Sequence, residues 1–232
     1  MRNKTPENSD QPKGEMLDAG SFSASIGKWF PNLSSTQIES LTWFYLELMK
    51  QNKTLNLIPL MSVKNAHSVH VADSVLAYGF VSKNLLPGHP LYIFGSSNGL
   101  PGVVFGILNP ELKIIIADRD TKKMEFVKEC LTKLRLTNVT LLSKSLEELP
   151  AGSVMNACAR GFVPFSKILL AARKQMAKKG RFFHLKSDGW ANELAGLPSQ
   201  LFSHWSPSMI GKYRQPETTT DMFVVQTEKT SD

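Results

Sequence analysis

Apolar positions in the first third of the chain recur at the spacing of one helical face. Ser34 and Ser62 precede two such stretches, and a hydroxyl residue in that place is typical of a helix N-terminus, because its side chain can accept from a free backbone N–H group. The pattern therefore predicts a helix over residues 38–48, a turn at 52–59 and a second helix from about 63 to 85.

The pattern changes at residue 91, where short apolar runs begin to alternate with helical stretches. The run at 113–118 is rich in β-branched residues and lacks polar alternation, which is typical of a strand buried on both faces. The order of elements predicts an α/β fold, with a doubly wound, mostly parallel seven-stranded sheet, helices on both faces and a closing antiparallel hairpin. The predicted strands are 91–95, 113–118, 139–143, 154–159, 181–186, about 202–205 and 222–226, and the predicted helices are about 101–108, 121–134 and 162–178.

The same pattern divides the chain into three parts. Residues 1–20 are rich in Asn, Lys, Asp, Glu, Ser and Pro, a composition that is typical of a disordered tail. Residues 21–90 are predicted to form an N-terminal helical cap. Residues 91–232 are predicted to form the α/β domain.

The first predicted strand runs into a glycine-rich turn. Gly95, Gly99 and Gly102 lie in this turn, and Pro101 stands where a helix can begin. A strand, a glycine turn and a helix N-terminus are typical of a corner that binds a nucleotide or cofactor. A dinucleotide site would need the spacing G-x-G-x-x-G, and Ser97 stands at its central position, so the turn disfavours a dinucleotide. A plain strand-to-helix turn is the alternative.

Charged residues follow the other strands at the same edge of the predicted sheet. Asp118 ends the second strand, where a carboxylate can accept from the ribose hydroxyls of an adenosine group; a helix cap or a solvated aspartate is the alternative. Lys122 and Lys123 begin the next helix, where cations oppose the helix dipole, and they indicate either an anionic partner or a solvated face. Arg160 and Lys186 follow the fourth and fifth strands and suit phosphate contacts.

His70 lies one helical turn before Asp73 and Ser74, so the three side chains can share a helix face. A histidine in this position either lies on the helix surface or lines the cleft beside the glycine turn. Because a carboxylate and a hydroxyl, those of Asp73 and Ser74, lie nearby, the sequence favours the two locations of His70 equally.

The amino-acid composition of the chain indicates which kinds of binding partner to expect. The 232 residues include 27 Lys and Arg against 20 Asp and Glu, a net charge of +7. A basic balance favours a polyanionic partner, nucleic acid first, although many basic proteins bind none. The chain has no long apolar run and no apolar segment among its first residues, so we expect neither a membrane span nor a secretory signal. Its two cysteines, Cys130 and Cys158, suit a reducing cytoplasm, and no Cys/His spacing predicts a metal.

These motifs, in this order, resemble the bacterial small-subunit ribosomal RNA methyltransferases of the RsmG type, once called glucose-inhibited division protein B. The resemblance covers about residues 35 to 190, and a Gly-Leu-Pro-Gly turn with an upstream H-x-x-D-S motif is a specific combination. The matching residues are Asn56, Leu57, His70, Asp73, Ser74, Gly95, Ser96, Gly99, Leu100, Pro101, Gly102, Asp118, Lys122, Lys123, Phe126, Asn138, Val139, Glu147, Ala159, Arg160, Leu185 and Lys186.

The resemblance implies the class I methyltransferase (Rossmann-like) fold. It also implies an enzyme that uses S-adenosylmethionine to methylate N7 of a guanine in 16S ribosomal RNA of the small ribosomal subunit. N7 carries a lone pair and no proton, so no general base is needed and no catalytic residue is assigned; positioning can supply most of the rate. We expect a cytoplasmic monomer with no metal and no membrane contact.

The family's functional residues fall into two groups in this sequence. The resemblance implies that the cofactor is bound by Gly95, Ser96, Ser97, Gly99, Leu100, Gly102, Asp118, Leu146, Glu147 and Arg160. It implies that RNA is bound by His70, Asp73, Lys122, Lys123, Arg160 and Lys186.

Four positions depart from the family pattern, and they cluster at the cofactor corner. Ile93 stands where the family has an acidic residue that helps to hold the charged amino-acid end of the cofactor, and Ser97 replaces a glycine. Ser145 replaces an arginine, and Ser187 replaces a glycine. Two alternatives follow: a catalytically silent RNA- or ribosome-binding member, which would not need the cofactor, and a small-molecule methyltransferase, which would have no affinity for RNA.

Overall fold

The computed structural model describes residues 16–161 and 163–231. The predicted tail lies mostly outside these residues, and the described chain begins its first helix at Ala19. The helices are α1 (Ala19–Trp29), α2 (Ser35–Leu55), α3 (Asp73–Val81), α4 (Gly102–Leu108), α5 (Thr121–Leu134), α6 (Phe165–Ala172), α7 (Trp190–Ala195) and α8 (Ser199–Phe202). The strands are β1 (Leu91–Phe94), β2 (Ile114–Ala117), β3 (Val139–Leu142), β4 (Val154–Arg160), β5 (Met176–Ser187), β6 (Trp205–Arg214) and β7 (Asp221–Lys229).

The seven strands form one sheet in the order β3-β2-β1-β4-β5-β7-β6. Strands β1 to β5 run parallel to one another, and β7 is antiparallel to both β5 and β6. The predicted mostly parallel seven-stranded sheet and its closing hairpin are confirmed. The strand order reverses between β1 and β4, which is where doubly wound sheets bind ligands, outside the carboxyl ends of their strands.

Hydrophobic layers cover both faces of the sheet. On one face, Ile93 belongs to a core that includes the N-terminal helices, and Phe44 of α2 stacks on Phe126 of α5 with ring centroids 6.5 Å apart. On the other face, Phe94 and Phe182 pack in a second core with residues of α6. Because α1 to α3 share the first core with the sheet, they are held beside the turn that follows β1.

Helix α2 begins where the hydroxyl signal predicts. The Oγ of Ser34 accepts from the backbone N–H of Gln37 at 3.2 Å, and the Gln37 side-chain oxygen accepts from the backbone N–H of Ser34 at 3.0 Å. This reciprocal capping satisfies two N–H groups that a helix start leaves free. The helix continues to Leu55, so it includes the first residues of the turn predicted at 52–59.

The predicted helix at 63–85 is wrong in its first part. A 3-10 turn (Leu60–Ser62) is followed by a π-helical segment (His67–Ala72), and regular α-helix is present only in α3. Ser62 does not cap a helix, because its hydroxyl donates to the Pro59 carbonyl and lies 2.8 Å from Nε2 of His70.

Helix α6 is shorter than the predicted helix at 162–178. It ends at Ala172, and Met176 already pairs with Val154 in the sheet. The helical spacing of apolar residues continues in the sequence to Met176, but this residue begins β5 and its side chain is buried there. The two short helices α7 and α8 are not predicted by the pattern. The strand predicted at about 202–205 is misplaced, because Phe202 ends α8 and β6 shares only Trp205 with the prediction, whereas β7 contains the predicted 222–226 and is longer.

Candidate active site

The glycine turn after β1 brings the backbone close to the sheet. Gly95 and Gly99 have φ angles of 67° and 82°, in the left-handed region that favours glycine. A Cβ atom at Gly102 would lie 2.6 Å from Cδ1 of Ile116, so α4 can approach β2 this closely only without a side chain there. Pro101 precedes the helix as its N-cap residue.

Asp118 ties this turn to the end of β2. Its Oδ2 accepts from the backbone N–H of Ser97 at 3.2 Å, and its Oδ1 accepts from the backbone N–H of Asp120 at 2.9 Å. Within the turn, the Ser96 hydroxyl donates to the Leu100 carbonyl at 2.7 Å. A carboxylate oxygen has two lone pairs, so each Asp118 oxygen can accept one further hydrogen bond.

A cavity of about 360 Å³, the first cavity, opens at this corner. It brings together four residues predicted to bind the cofactor: Gly95, Asp118, Leu146 and Glu147. Its polar lining includes Asp118, and its apolar walls suit a flat aromatic group. The apolar side chains are those of Phe94, Ala117, Leu146, Ile168 and Ala171.

A second cavity of about 520 Å³ adjoins the first, because Val163 lines both. Residues from distant parts of the sequence line it. They include three of the predicted RNA-binding residues, His70, Arg160 and Lys186. The corner therefore offers two neighbouring spaces, one largely apolar and one lined by charged and polar groups.

Arg160, the last residue of β4, is held by the segment before α3. Its Nε donates to Oδ2 of Asp73 at 2.7 Å, its Nη1 lies 3.1 Å from Nδ1 of His70, and its Nη2 donates to the carbonyl of Val69. An arginine has five N–H groups. Three of them have acceptors among the described residues, which leaves two for a ligand in the second cavity.

Asp73 corrects one expectation. We predicted that it contacts RNA, but its side chain is 0% exposed. Its Oδ1 accepts from the Tyr213 hydroxyl at 3.0 Å and from the Gln215 side-chain amide at 2.8 Å, while Oδ2 accepts from Arg160. In this arrangement Asp73 holds Arg160 in position and does not itself reach a ligand.

The π-helical segment His67–Ala72 presents the groups that surround Arg160. Such segments are concentrated at functional sites because they displace backbone groups from the regular α-helical ladder. Here the carbonyl oxygen of Val69 accepts from Arg160, and the Gln215 amide lies 3.5 Å from it. A hydrogen bond therefore links the π-helical backbone directly to Arg160.

His70 is neutral in this environment. Burial, and secondly the charge of Arg160, lower its pKa to about 3. Since Arg160 donates to Nδ1, the hydrogen-bond network assigns the ring proton to Nε2, which donates to the Ser62 hydroxyl. With its basic nitrogen occupied, His70 is not placed to act as a general base.

Lys186 also has partners within the protein. Its Nζ lies 2.9 Å from Oε2 of Glu193, donates to the Val163 carbonyl at 3.1 Å and lies 4.7 Å from the ring centroid of Phe165. Its charge is therefore partly compensated before any phosphate arrives. Its role as an RNA contact stays a prediction.

Lys122 and Lys123 lie at the start of α5, and neither lines the two cavities. Lys123 Nζ is 3.8 Å from Oδ2 of Asp120, which is a long ion pair. Asp120 itself caps α5 by accepting from the backbone N–H of Lys123 at 3.1 Å. The predicted contact of both lysines with RNA would therefore be made outside the cavities.

Several residues of the site have no signal in the sequence. Asn98 lines the second cavity, where its amide donates to the Leu57 carbonyl at 3.1 Å and its oxygen accepts from the backbone N–H of Leu100 at 3.0 Å. Tyr213 and Gln215 reach Asp73 from β6 and the residue after it. Only the sheet topology brings these groups together, so periodicity and motif spacing could not find them.

The two buried neutral histidines make the fold sensitive to acid. Burial, followed by the Lys186 charge, also lowers the pKa of His184 to about 3. Unfolding exposes both rings to water, where their pKa is 6.5, so below pH 6.5 the unfolded chain binds more protons and stability falls towards pH 3. We expect a loss of roughly 1–2 kcal/mol per histidine by pH 5, measured by urea unfolding at pH 7.5 and 5.0.

The variant His184→Gln serves as the matched control for this effect. It removes one titrating group and leaves His70 in place, so the difference in unfolding free energy between the two pH values should shrink. An unchanged difference would show that the His184 ring is not a source of the pH dependence.

Comparison with known proteins shows the family of the chain. A family model described as GidB, rRNA small subunit methyltransferase G, matches residues 37–218. The chain belongs to this family. Ribosomal RNA small subunit methyltransferase G 3 of Bdellovibrio bacteriovorus is 38% identical over 204 residues, 88% of this chain and 92% of that protein. Ribosomal RNA small subunit methyltransferase G of Halorhodospira halophila is 29% identical over 186 residues, 78% of this chain and 87% of that protein.

Solved structures support the GidB fold assignment. The tRNA (m1A58) methyltransferase TrmI of Aquifex aeolicus aligns with a TM-score of 0.51 and 14% identity, over 68% of this chain and 69% of that chain. This similarity concerns the fold alone, which is the class I methyltransferase fold. None of the helices in the described part of the chain is long and apolar enough to cross a membrane.

The structure shows what surrounds two of the positions that depart from the GidB pattern, Ile93 and Ser145. Ile93 is 0% exposed and lies in register between Ile116 of β2 and Cys158 of β4, so the position of the family's acid lies within apolar core here. At the position of the family's arginine, the Ser145 hydroxyl accepts from Nη2 of Arg119 at 2.9 Å. Arg119 lines the first cavity, so a guanidinium is present there, supplied by the chain after β2.

The other two departures, Ser97 and Ser187, lie in the glycine turn and at the end of β5. Ser97 contributes its backbone N–H to Asp118, a contact that its side chain does not prevent. Ser187 is the last residue of β5 and lines the second cavity. Both serines are thus compatible with the observed turn and strand geometry.

Proposed function

We propose that the protein is an S-adenosylmethionine-dependent methyltransferase that modifies N7 of a guanine in 16S ribosomal RNA of the small ribosomal subunit. The observation that carries this proposal is the pair of adjoining cavities at the switch point of the sheet, with Asp118 at the border of the glycine turn. Family membership, and the names of the relatives, support the substrate class.

The donor set of the first cavity fits the adenosine half of this cofactor. A purine needs a flat apolar space, and the walls formed by Phe94, Leu146 and Ile168 supply one. Ribose hydroxyls need acceptors, and Asp118 retains one free lone pair on each oxygen. The methionine half would extend towards the second cavity, where Arg160 can pair with its carboxylate.

Methyl transfer to N7 would require little of the protein beyond positioning the cofactor and the base. When bound, the cofactor supplies an electrophilic methyl group. N7 of guanine has a lone pair and no proton, so the protein need not remove one, in agreement with a neutral His70 and a buried Asp73. The residues around the second cavity would orient the base, and such orientation can supply most of the rate.

One observation favours a second candidate, a catalytically silent RNA-binding member of the family. Ile93 leaves the corner without the carboxylate that the family places there, and the surrounding core has no room for a charge. Such a protein would bind RNA in a salt-dependent way, and the cofactor would not change that binding.

Calorimetry and RNA mapping test the proposal. We expect the purified protein to bind S-adenosylmethionine and to transfer a labelled methyl group to small-subunit RNA taken from cells without the gene. Mass mapping should then locate one added methyl group at N7 of a guanine. An absence of binding heat at millimolar cofactor would contradict the enzyme and favour the silent member. Cofactor binding without RNA affinity would indicate a small-molecule methyltransferase.

A further inference from the structure

Strand β5 contains a large bulge at the edge of the sheet opposite the active site. Val154 pairs with Met176, and only two residues later in β4, Asn156 pairs with Arg181. The intervening residues of β5 are therefore pushed out of the ladder. Lys179 adopts the left-handed region with φ 64°, and a Cβ at Gly180 would lie 2.7 Å from a backbone oxygen, so the bulge is tightly built.

The bulge and the chain before it carry a dense positive charge. Arg173, Lys174, Lys178 and Lys179 are all exposed, and none of them takes part in an ion pair or side-chain hydrogen bond among the described residues. We call these four side chains the basic bulge. Acidic neighbours normally relieve such repulsion, and a surface without acidic partners among the described residues is suited to bind a polyanion.

A groove of about 750 Å³ runs along the basic bulge. Arg173, Lys174 and Lys178 line it, and so does Lys229, which is only 4% exposed. The Nζ of Lys229 donates to the Met176 carbonyl at 2.8 Å. It forms no ion pair with a carboxylate in the part of the chain that the structure describes. A largely buried ammonium with no carboxylate partner among the described residues adds positive potential to the groove.

Two cations that line the second cavity are paired with carboxylates, unlike the cations of the basic bulge. Arg160 is paired with Asp73, and Lys186 is paired with Glu193. At about 3.3 Å per residue, the seven residues of β4 place the bulge roughly 20 Å from Arg160. The basic bulge therefore lies away from the cavities.

We propose that the basic bulge binds the phosphodiester backbone of the RNA substrate at a second point, distant from the nucleotide that is methylated. This inference rests on the proposed function for the identity of the polyanion. Phosphate contacts position a protein on nucleic acid without reading sequence, so four lysine and arginine side chains on one groove suit this role.

The double variant Lys174→Glu/Lys178→Glu tests this surface. We expect its affinity for full-length 16S RNA to fall about tenfold or more at moderate salt, and the slope of log affinity against log salt to decrease by about 1.5–2. S-adenosylmethionine affinity should be unchanged, since the groove lies far from the first cavity. Activity on a short RNA that spans only the target nucleotide should also be retained, because such an RNA cannot reach the bulge.

The double variant Lys28→Glu/Lys53→Glu is the matched control. It makes the same change in net charge at two exposed lysines, each in the last turn of a helix. Equal loss of RNA affinity in both double variants would overturn the inference, because only net charge would then matter. A variant that loses binding to anionic phospholipid vesicles and keeps its RNA affinity would also overturn it, in favour of a membrane partner.

The proposed reaction and the proposed role of the basic bulge can be refuted independently of each other. If the native protein transfers no methyl group and the Lys174→Glu/Lys178→Glu variant still loses RNA affinity, the basic bulge stands and the proposed reaction does not. If methyl transfer is observed and the variant binds full-length RNA as the native protein does, the reaction stands and the basic bulge is refuted.

Discussion

Replacing Arg160 by alanine is expected to lower the free energy of unfolding by about 3–5 kcal/mol, because the substitution leaves a buried carboxylate without its cation. Asp73 is 0% exposed and would keep only the neutral donors of Tyr213 and Gln215. The Val69 carbonyl would lose its guanidinium donor as well. Urea unfolding of the cofactor-free protein, followed by circular dichroism, measures the change.

Arg214→Ala is the matched control for this prediction. Its Nε lies 2.9 Å from Oδ1 of Asp221, a pair similar in geometry but with the arginine 65% exposed. Water replaces an exposed partner, so we expect a much smaller loss of stability than at Arg160. A loss at Arg160 no larger than that at Arg214 would contradict the prediction.

A second comparison isolates the buried charge. The double variant Arg160→Ala/Asp73→Asn has no buried carboxylate at this place, so we expect it to be more stable than Arg160→Ala alone. Additive losses from the two substitutions would argue against coupling between the two side chains. The same measurements decide how a loss of turnover in Arg160→Ala is interpreted, because a weakened fold and a lost RNA contact would both reduce activity.

Replacing Asp118 by alanine is expected to raise the dissociation constant for S-adenosylmethionine by about 10- to 100-fold. Hydrogen bonds to a charged group contribute about 1.5–3 kcal/mol, and the free lone pairs of Asp118 border the first cavity. The substitution also removes the acceptor of the Ser97 N–H, which helps to hold the glycine turn against β2. Calorimetric titration with the cofactor measures the effect.

Asp120→Ala controls for the loss of a nearby carboxylate. Asp120 lies two residues further on, caps α5 and does not line the first cavity. We expect it to reduce the stability of the helix start and to leave cofactor affinity nearly unchanged. Equal loss of affinity in the two variants would mean that the cofactor responds to local charge or stability and not to a contact with Asp118.

The measurements on Asp118 also test whether the cofactor can be held without the acid that Ile93 replaces. The family places a carboxylate at this position, and here it lies in apolar core between β2 and β4. If Asp118→Ala weakens a measurable affinity, the remaining groups of the corner are sufficient to hold the cofactor without that acid. The two adjoining cavities would then account for binding through the adenosine end and Arg160.

The sequence could predict most elements whose causes are local. Helix α5 spans Thr121–Leu134, as predicted, because its apolar period and its start signal lie within the segment itself. The central strands are likewise near their predicted places, since an unbroken β-branched run such as 113–118 fits little other than a buried strand. The glycine turn and Asp118 were found for the same reason, since their spacing follows from one strand-helix-strand unit.

The sequence alone therefore determined the α/β layout, the position of the glycine turn and the excess of positive charge. Only the tertiary structure decided which charges are free. Tyr213 reaches Asp73 across 140 residues of sequence, Asp73 in turn occupies Arg160, and Glu193 occupies Lys186. The physical reason is that Coulomb and hydrogen-bond energies depend on distance in space, and a fold brings together groups whose separation along the chain carries no signal.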